Sequence, residues 1–390
     1  MKLMIFAGEV SGDLYGSYLA AELRKKDPAA ELSGTGGEMM AAAGVDIRAF
    51  TAHKGSVGFI ESARHYGYFK KLLEETSAYA KAMPPDAFLF IDNQGFNIAL
   101  AKKLKGLGLK ALGVPFIYFF PPQVWIWSPP GEAKKVAKLF DHIITPFRRE
   151  AEEYGKFTRN VQYTGHPIVD ILSRTAEGEK KPAAGNGKRC IGLFPGSRDQ
   201  ELEALLPVML EAKGELEKLY PGRYDYAVSV SSALFSGRIE ELVGRSPFGK
   251  NVRIVLKNSH NLMKTCDMIF ASSGTVTLEA ALLGVPAVIM YRVSRSTYFI
   301  GRMLMKQKYI GLPNIILGRE VFPEFIQGRM TVKNITGGAV GLLSPLFRPV
   351  MADARKKLGE YLEGKDSLEK TAGIIYNIIH NSHNERKKPN

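Results

Sequence analysis

Cysteine is nearly absent from this chain of 390 residues: Cys190 and Cys266 are the two. Two thiols cannot build a disulfide framework or a four-cysteine zinc site, and they suit a reducing compartment as buried groups. Histidine is sparse and scattered. None of the seven stands in a His-x-x-x-His or HExxH arrangement, and no acidic DxD pair occupies a loop, so no metal is expected. An unbroken apolar span is missing too. The longest uncharged stretch, Ala111–Gly131, carries Pro115, Pro121, Pro122, Pro129 and Pro130. A helix with those breaks cannot satisfy its backbone in lipid, which argues against a membrane span and for a buried strand followed by an apolar loop. The run Met1–Gly8 is too short for a secretory leader and meets Glu9 at once.

What is present is an ordinary globular composition, 45% apolar and 24% charged, which excludes disorder and collagen-like repeats. The length favours two domains of roughly 150–200 residues. Positive charge is in surplus: 53 Lys and Arg against 39 Asp and Glu, a net of +14. That balance favours an anionic partner, whether nucleic acid, an anionic membrane surface or a phosphorylated substrate.

Short apolar runs alternate with helix-like stretches. Leu3–Phe6, Ala87–Ile91, Phe116–Phe120, His142–Thr145 and Val161–Thr164 read as strands of the first half. Cys190–Phe194, Tyr226–Val230, Val252–Leu256, Met268–Ala271 and Val285–Met290 repeat the pattern in the second. The alternation predicts βαβ units and parallel sheets covered on both faces. Between the halves, Arg174–Lys188 is charged, rich in Pro and Gly, and without apolar period, which marks a linker. The fold class is therefore α/β, two doubly wound, Rossmann-like domains facing a cleft, with ligands expected at the carboxyl ends of the strands. The boundaries are 1–173, a linker at 174–188, a second domain at 189–345, and helices over 346–390 that pack back on the first domain. A helix is expected over Ala352–Ile379 with a break near Asp366.

Five loops hold the candidate chemistry. Ala7-Gly8-Glu9-Val10-Ser11-Gly12-Asp13 joins a strand to a helix, with glycines that admit a ligand to backbone N–H groups or simply make a tight turn capped by Ser11 or Asp13. Ser33-Gly34-Thr35-Gly36-Gly37 reads as a second glycine-rich loop following a short strand. Asp92 ends an apolar strand, where a carboxylate serves as general base or caps the next helix. Pro195-Gly196-Ser197-Arg198 offers amides and a guanidinium fork to phosphate, unless Arg198 merely pairs with Glu201 or Glu203. Ser272-Ser273-Gly274-Thr275 opens a helix suited to a diphosphate, with Glu279 one turn inside, placed for a ribose diol or for the helix dipole. His166, in Gly165-His166-Pro167, reads as structural. Phe59–Leu73 and Tyr298–Ile310 are amphipathic with aromatics beside cations; on residues alone a core-facing helix is preferred to a membrane interface.

These motifs, with Val124-Trp125-Ile126-Trp127, Tyr291-Arg292, Tyr309-Ile310-Gly311-Leu312-Pro313-Asn314 and Gly318-Arg319-Glu320, run in order from residue 7 to residue 320. The set resembles the lipid-A-disaccharide synthase family, glycosyltransferases of the GT-B type. The resemblance implies inverting, metal-independent transfer of 2,3-diacylglucosamine from UDP to 2,3-diacylglucosamine 1-phosphate, with no cofactor. It makes Asp92 the base, and sets Glu9, Ser11 and Gly12 on the acceptor side in the first domain. It gives Arg198, Ser273, Gly274 and Thr275 to the diphosphate, Glu279 to the ribose, and Asn314 and Arg319 to the donor side in the second. The implied partners are the two acylated substrates and the cytoplasmic surface of the inner membrane, with no nucleic acid and an oligomer allowed. Asn93-Gln94-Gly95 and Ser128-Pro129-Pro130 depart from the family pattern, both on the acceptor side. A GT-B enzyme with a different acceptor, or one like a UDP-N-acetylglucosamine 2-epimerase, is the alternative.

Overall fold

The computed structural model describes residues 1–51, 66–176, 188–256 and 259–386. The chain divides into two compact units. One comprises Met1–Asp170, Phe299–Lys306 and Gly364–Asn390, the other Ile171–Tyr298 and Gln307–Glu363.

The first unit is built on seven strands: β1 (Lys2–Ala7), β2 (Glu31–Gly36), β3 (Asp46–Phe50), β4 (Ala87–Ile91), β5 (Phe116–Phe119), β6 (His142–Thr145) and β7 (Val161–Tyr163). They lie in the order β3-β2-β1-β4-β5-β6-β7, and every pairing is parallel. The central strands β1, β4 and β5 are almost wholly buried, because helices cover both faces and leave no face to water. Phe6, Phe88, Phe90, Phe116 and Tyr118 pack ring to ring in the layer under the sheet. Each buried aromatic of this kind removes an area large enough to dominate the core's stability.

The second unit carries β8 (Arg189–Phe194), β9 (Tyr224–Val230), β10 (Val252–Leu256), β11 (Met268–Ser272), β12 (Ala287–Tyr291) and β13 (Glu324–Ile326). Their order is β10-β9-β8-β11-β12-β13, again all parallel. Helix Asp199–Leu219 lays Leu202, Leu205, Leu206, Met209 and Leu210 on this sheet. Cys190 and Cys266 are buried here as free thiols, 3.9 Å apart.

In both sheets the chain starts near the middle, winds outward to one edge, then returns to the other side of the first strand. The reversal falls between β1 and β4, and between β8 and β11. At such a switch point neighbouring loops diverge to opposite faces and leave a crevice at the carboxyl edge.

Two expectations change. Ser33–Gly36 lies within β2 and does not follow it, because Gly34 (φ 145°) has no Cβ to collide with Ile5 O, which an added Cβ would approach to 1.8 Å. A glycine that lets two strands close on each other reads as a turn in sequence. Helix Arg295–Leu304 is not core-facing, since none of its residues is buried; Phe299 is 68% exposed and Met303 74%. The first amphipathic stretch falls in part on residues 59–65, outside the described residues, while its second part opens helix Tyr66–Ala82, which buries Leu72. Near the C-terminus the helices are Arg348–Leu362 and Ser367–Arg386, parted where Glu363 and Asp366 adopt positive φ. Asp170 binds the second of these through Asp366 N and Leu368 N, each at 2.9 Å. Among the described residues no single helix is long and apolar enough to cross a membrane.

Asp13 is a brace of the first unit. Its buried carboxylate accepts from Gly37 N at 2.7 Å and from Met39 N and Met40 N at 3.0 Å, which ties helix Val10–Lys26 to the amides opening helix Glu38–Ala42. Replacing Asp13 by Ala strands three inward-facing amides. Loss of about 3 kcal/mol is expected, read as a lower midpoint in urea unfolding with an unchanged slope.

Candidate functional site

The two switch points carry the residues that the sequence singles out. In the first unit the last registered pair of β1 and β4 is Ala7 with Ile91, so Gly8–Ser11 and Asp92 leave the sheet side by side. Asp92 and Asn93 both take left-handed backbone, φ 52° and 41°. Such a residue costs roughly 1–2 kcal/mol outside glycine, and Asp and Asn tolerate it better than other types. The turn is held from several sides. Asp92 N donates to Phe119 O at 3.1 Å. Asp92 O accepts from Asn97 Nδ2 at 2.8 Å and from the Tyr118 hydroxyl at 2.9 Å. Asn97, wholly buried, also donates to Ile91 O and Phe6 O. The Asn93 side chain lies where a Cβ on Gly8 would sit, 1.7 Å from that position, so Gly8 is required at this corner.

This framework leaves the Asp92 side chain half-buried, with Ser11 Oγ donating to Oδ2 at 3.4 Å. Glu9 is half-buried at the start of the same helix, and Gly12 packs against Ala7 and the Ile91 carbonyl. The structure thus brings Glu9, Ser11, Gly12 and Asp92 to one corner. Behind them stands Glu150, in the first turn of helix Arg148–Gly155 and wholly buried. Neither of its oxygens has a hydrogen-bond partner among the described residues. Burial, reinforced by the charge of Asp92, drives its pKa far above the usual carboxylate range, which favours the neutral acid. Burial also raises the Tyr118 and Tyr154 phenols, with the nearby carboxylates adding to it. His166 sits among the rings of Tyr15, Phe120 and Phe147 and accepts from Ile168 N through Nδ1. Burial lowers its pKa to about 3, so it is a neutral packing residue.

In the second unit the register places Phe194 beside Ala271, so Pro195–Arg198 and Ser273–Thr275 leave the sheet together. Gly196 (φ 116°) has no Cβ because Glu201 fills that place. Glu201 reaches back from the first turn of its helix to Ser197 N at 2.9 Å and to Arg198 Nη1 at 2.9 Å. Arg198 does pair with Glu201, but it is no open-surface residue: its side chain is 21% exposed. Gly274 is exposed and opens helix Thr275–Leu283, whose first amides face the carboxyl edge. Ser273 Oγ donates to Ile310 O at 3.2 Å. Glu279 meets a partner that sequence reading missed: His260 Nε2 lies 3.1 Å from its Oε2.

Asn314 and Arg319 stand apart from these loops in role. Asn314 is fully buried and spends its amide on the chain itself, accepting from Val321 N and Phe322 N and donating to Phe322 O and Glu324. Glu324 in turn accepts from Ile310 N and Gly311 N, each at 2.9 Å. Asn314 therefore braces the segment that Ser273 touches. Arg319 pairs with Asp353 of helix Arg348–Leu362 at 2.6 Å, both side chains more than 40% exposed. His260, Tyr118 and Glu324 escape a sequence reading because their partners come from other segments with no fixed spacing, and Glu150 because its burial is set by the fold.

The comparisons with known proteins bear on family and fold. The family described as lipid-A-disaccharide synthetase matches residues 3–370. A lipid-A-disaccharide synthase of Geobacter metallireducens is 36% identical over 386 residues, 97% of each chain. One from Coxiella burnetii is 32% identical over 383 residues, 97% of this chain and 98% of the other. Among solved structures, a putative UDP-N-acetylglucosamine 2-epimerase of Listeria monocytogenes superposes with a TM-score of 0.65 at 15% identity, covering 94% of each chain. The UDP-GlcNAc 2-epimerase of Neisseria meningitidis gives 0.64 at 13%, covering 97% of this chain and all of that one. Such low identities speak to the fold, which is of the GT-B class.

Asn314→Ala orphans the Val321 and Phe322 amides and the Phe322 carbonyl in the interior of the second unit. A loss of about 3 kcal/mol is expected, measured by denaturant unfolding.

Proposed function

This chain belongs to the lipid-A-disaccharide synthase family, and on that premise we propose that it transfers 2,3-diacylglucosamine from UDP to 2,3-diacylglucosamine 1-phosphate with inversion. One observation carries the reading: in each sheet the strand order reverses at the loops that bear the family's motif residues, Asp92 in one and Arg198 with Ser273–Thr275 in the other. The N-terminal domain binds the acceptor and supplies the base. The C-terminal domain grips the nucleotide.

Asp92 takes the proton from the acceptor hydroxyl as that oxygen bonds to the anomeric carbon, and the bond from that carbon to the diphosphate breaks on the opposite face. One inverting displacement needs one base and no protein nucleophile. The leaving UDP carries the electron pair away. Its charge is met by the Arg198 guanidinium, oriented by Glu201, and by the amides opening helices Asp199–Leu219 and Thr275–Leu283. Glu279 accepts from the ribose diol. Asn314 supports this side by bracing the 310–324 segment, and Arg319 belongs to its rim. The epimerase alternative draws only on likeness of fold.

We place the enzyme on the cytoplasmic face of the inner membrane. The net charge of +14 and the exposed Phe299 and Met303, with Arg295 and Arg302 on the same helix, support docking on an anionic surface.

The deciding experiment incubates the protein with UDP-2,3-diacylglucosamine and the acylated monosaccharide phosphate, and looks for the disaccharide by mass spectrometry. Its absence overturns the reading. Asp92→Ala is expected to lower kcat by about a hundredfold or more while UDP affinity stays near that of the parent. Arg198→Ala is expected to weaken UDP binding about tenfold or more by calorimetry, through loss of a charge-assisted contact. Since charge on the leaving group falls to protein groups, turnover should persist in EDTA.

A further inference from the structure

His260 has no part in the reaction described above, yet it is the residue that Glu279 touches. It is the second residue of helix Ser259–Thr265, which follows β10 at the carboxyl edge of the second sheet. Leu262 and Met263 of the same helix are buried and fix it against the sheet. Glu279 arrives from a different helix, Thr275–Leu283, in the turn after Ser273–Thr275. The two side chains meet at 3.1 Å, with 16% of His260 and 10% of Glu279 exposed. An ionised carboxylate only accepts, so Nε2 carries the hydrogen. A carboxylate this enclosed needs such a donor, or its charge is left unsupported.

We infer that His260 is a positioning residue for nucleotide recognition: its Nε2–H holds one oxygen of Glu279 and turns the carboxylate toward a ribose 2′,3′-diol. The inference rests on the reading that Glu279 binds the ribose of UDP. A glutamate has three rotatable side-chain bonds, and a diol is accepted well only when the carboxylate plane is set beforehand. A partner that fixes one oxygen supplies that setting and leaves the other to the ligand. The surroundings favour it electrostatically. Burial pulls the His260 pKa down, but the hydrogen bond and charge of Glu279 outweigh it, and the net shift is upward against the opposing charge of Lys264.

The test is calorimetric titration of the full chain with UDP and with 2′,3′-dideoxyuridine 5′-diphosphate, which lacks both hydroxyls. His260→Ala is expected to weaken UDP about fivefold to tenfold and to leave the dideoxy compound unaffected. His260→Gln, which keeps a donor of similar reach, is expected to recover most of the loss. Equal weakening toward both ligands, or no weakening, overturns the positioning role. Glu279→Gln separates the two levels of the argument. If it too fails to discriminate between the ligands, the ribose assignment falls and the inference with it. If it discriminates while His260→Ala does not, the ribose assignment stands and the inference alone falls. The unfolding midpoint of each variant, measured alongside, shows that the protein titrated is folded.

Discussion

The left-handed backbone at Asp92 and Asn93 is the constraint on which the first unit's chemistry depends. A parallel strand ordinarily runs on into its loop with side chains alternating between faces. Here the chain turns sharply as it leaves the ladder, and Asp92 emerges at the carboxyl edge half-buried. Two such residues in succession cost roughly 2–4 kcal/mol. The Asn97 amide and the Tyr118 hydroxyl offset it by binding the Asp92 carbonyl. Asn97 binds Ile91 O and Phe6 O as well, so one amide stitches β1, β4 and the turn together. Strain is thus concentrated at one carboxylate, and buried groups are committed to holding it.

The second unit reaches the same end by another route. Two residues beyond its strand β8 comes Gly196, and Glu201 packs where a side chain would have been. Gly8 does the same for Asn93. In each case a missing Cβ admits a polar side chain to the backbone of the switch-point loop. The outcome differs in charge. The first loop presents a carboxylate, while the second presents a guanidinium that Glu201 orients beside helix amides. Identical topology thus yields a corner suited to a hydroxyl losing its proton and a corner suited to an anion.

The fold was legible where physics makes the signal local. Ala87–Ile91 and His142–Thr145 have the limits that apolar runs suggest, since a strand covered on both faces is apolar nearly throughout. Two edge strands left no such trace. β3, Asp46–Phe50, alternates exposed and half-buried residues, and β13 has three residues. Ser33–Gly36 misled because glycine there serves close approach between strands, not a turn. At the site, Asp92 could be read from a carboxylate closing an apolar run, and Arg198 from the glycine before it. Tyr118, Glu150, His260 and Glu324 could not, because each acts through a residue 13 to 58 positions away in the chain. Pairings of that kind are fixed by topology, and topology is what a local pattern omits.

The neutral groups behind Asp92 complete the argument about its charge. Glu150, Tyr118 and Tyr154 are wholly buried at the same corner, and burial raises the pKa of all three. A phenol kept protonated remains a donor: Tyr118 gives its hydrogen to Asp92 O and Tyr154 to Pro122 O. An acid kept protonated adds no negative charge beside Asp92. Were Glu150 ionised, two carboxylates would compete for one proton in a low-dielectric pocket, and the pair would titrate together. Burial of Glu150 is complete, and together with the charge of Asp92 it raises that pKa, so the acid form stands behind the corner where Asp92 meets the carboxyl edge.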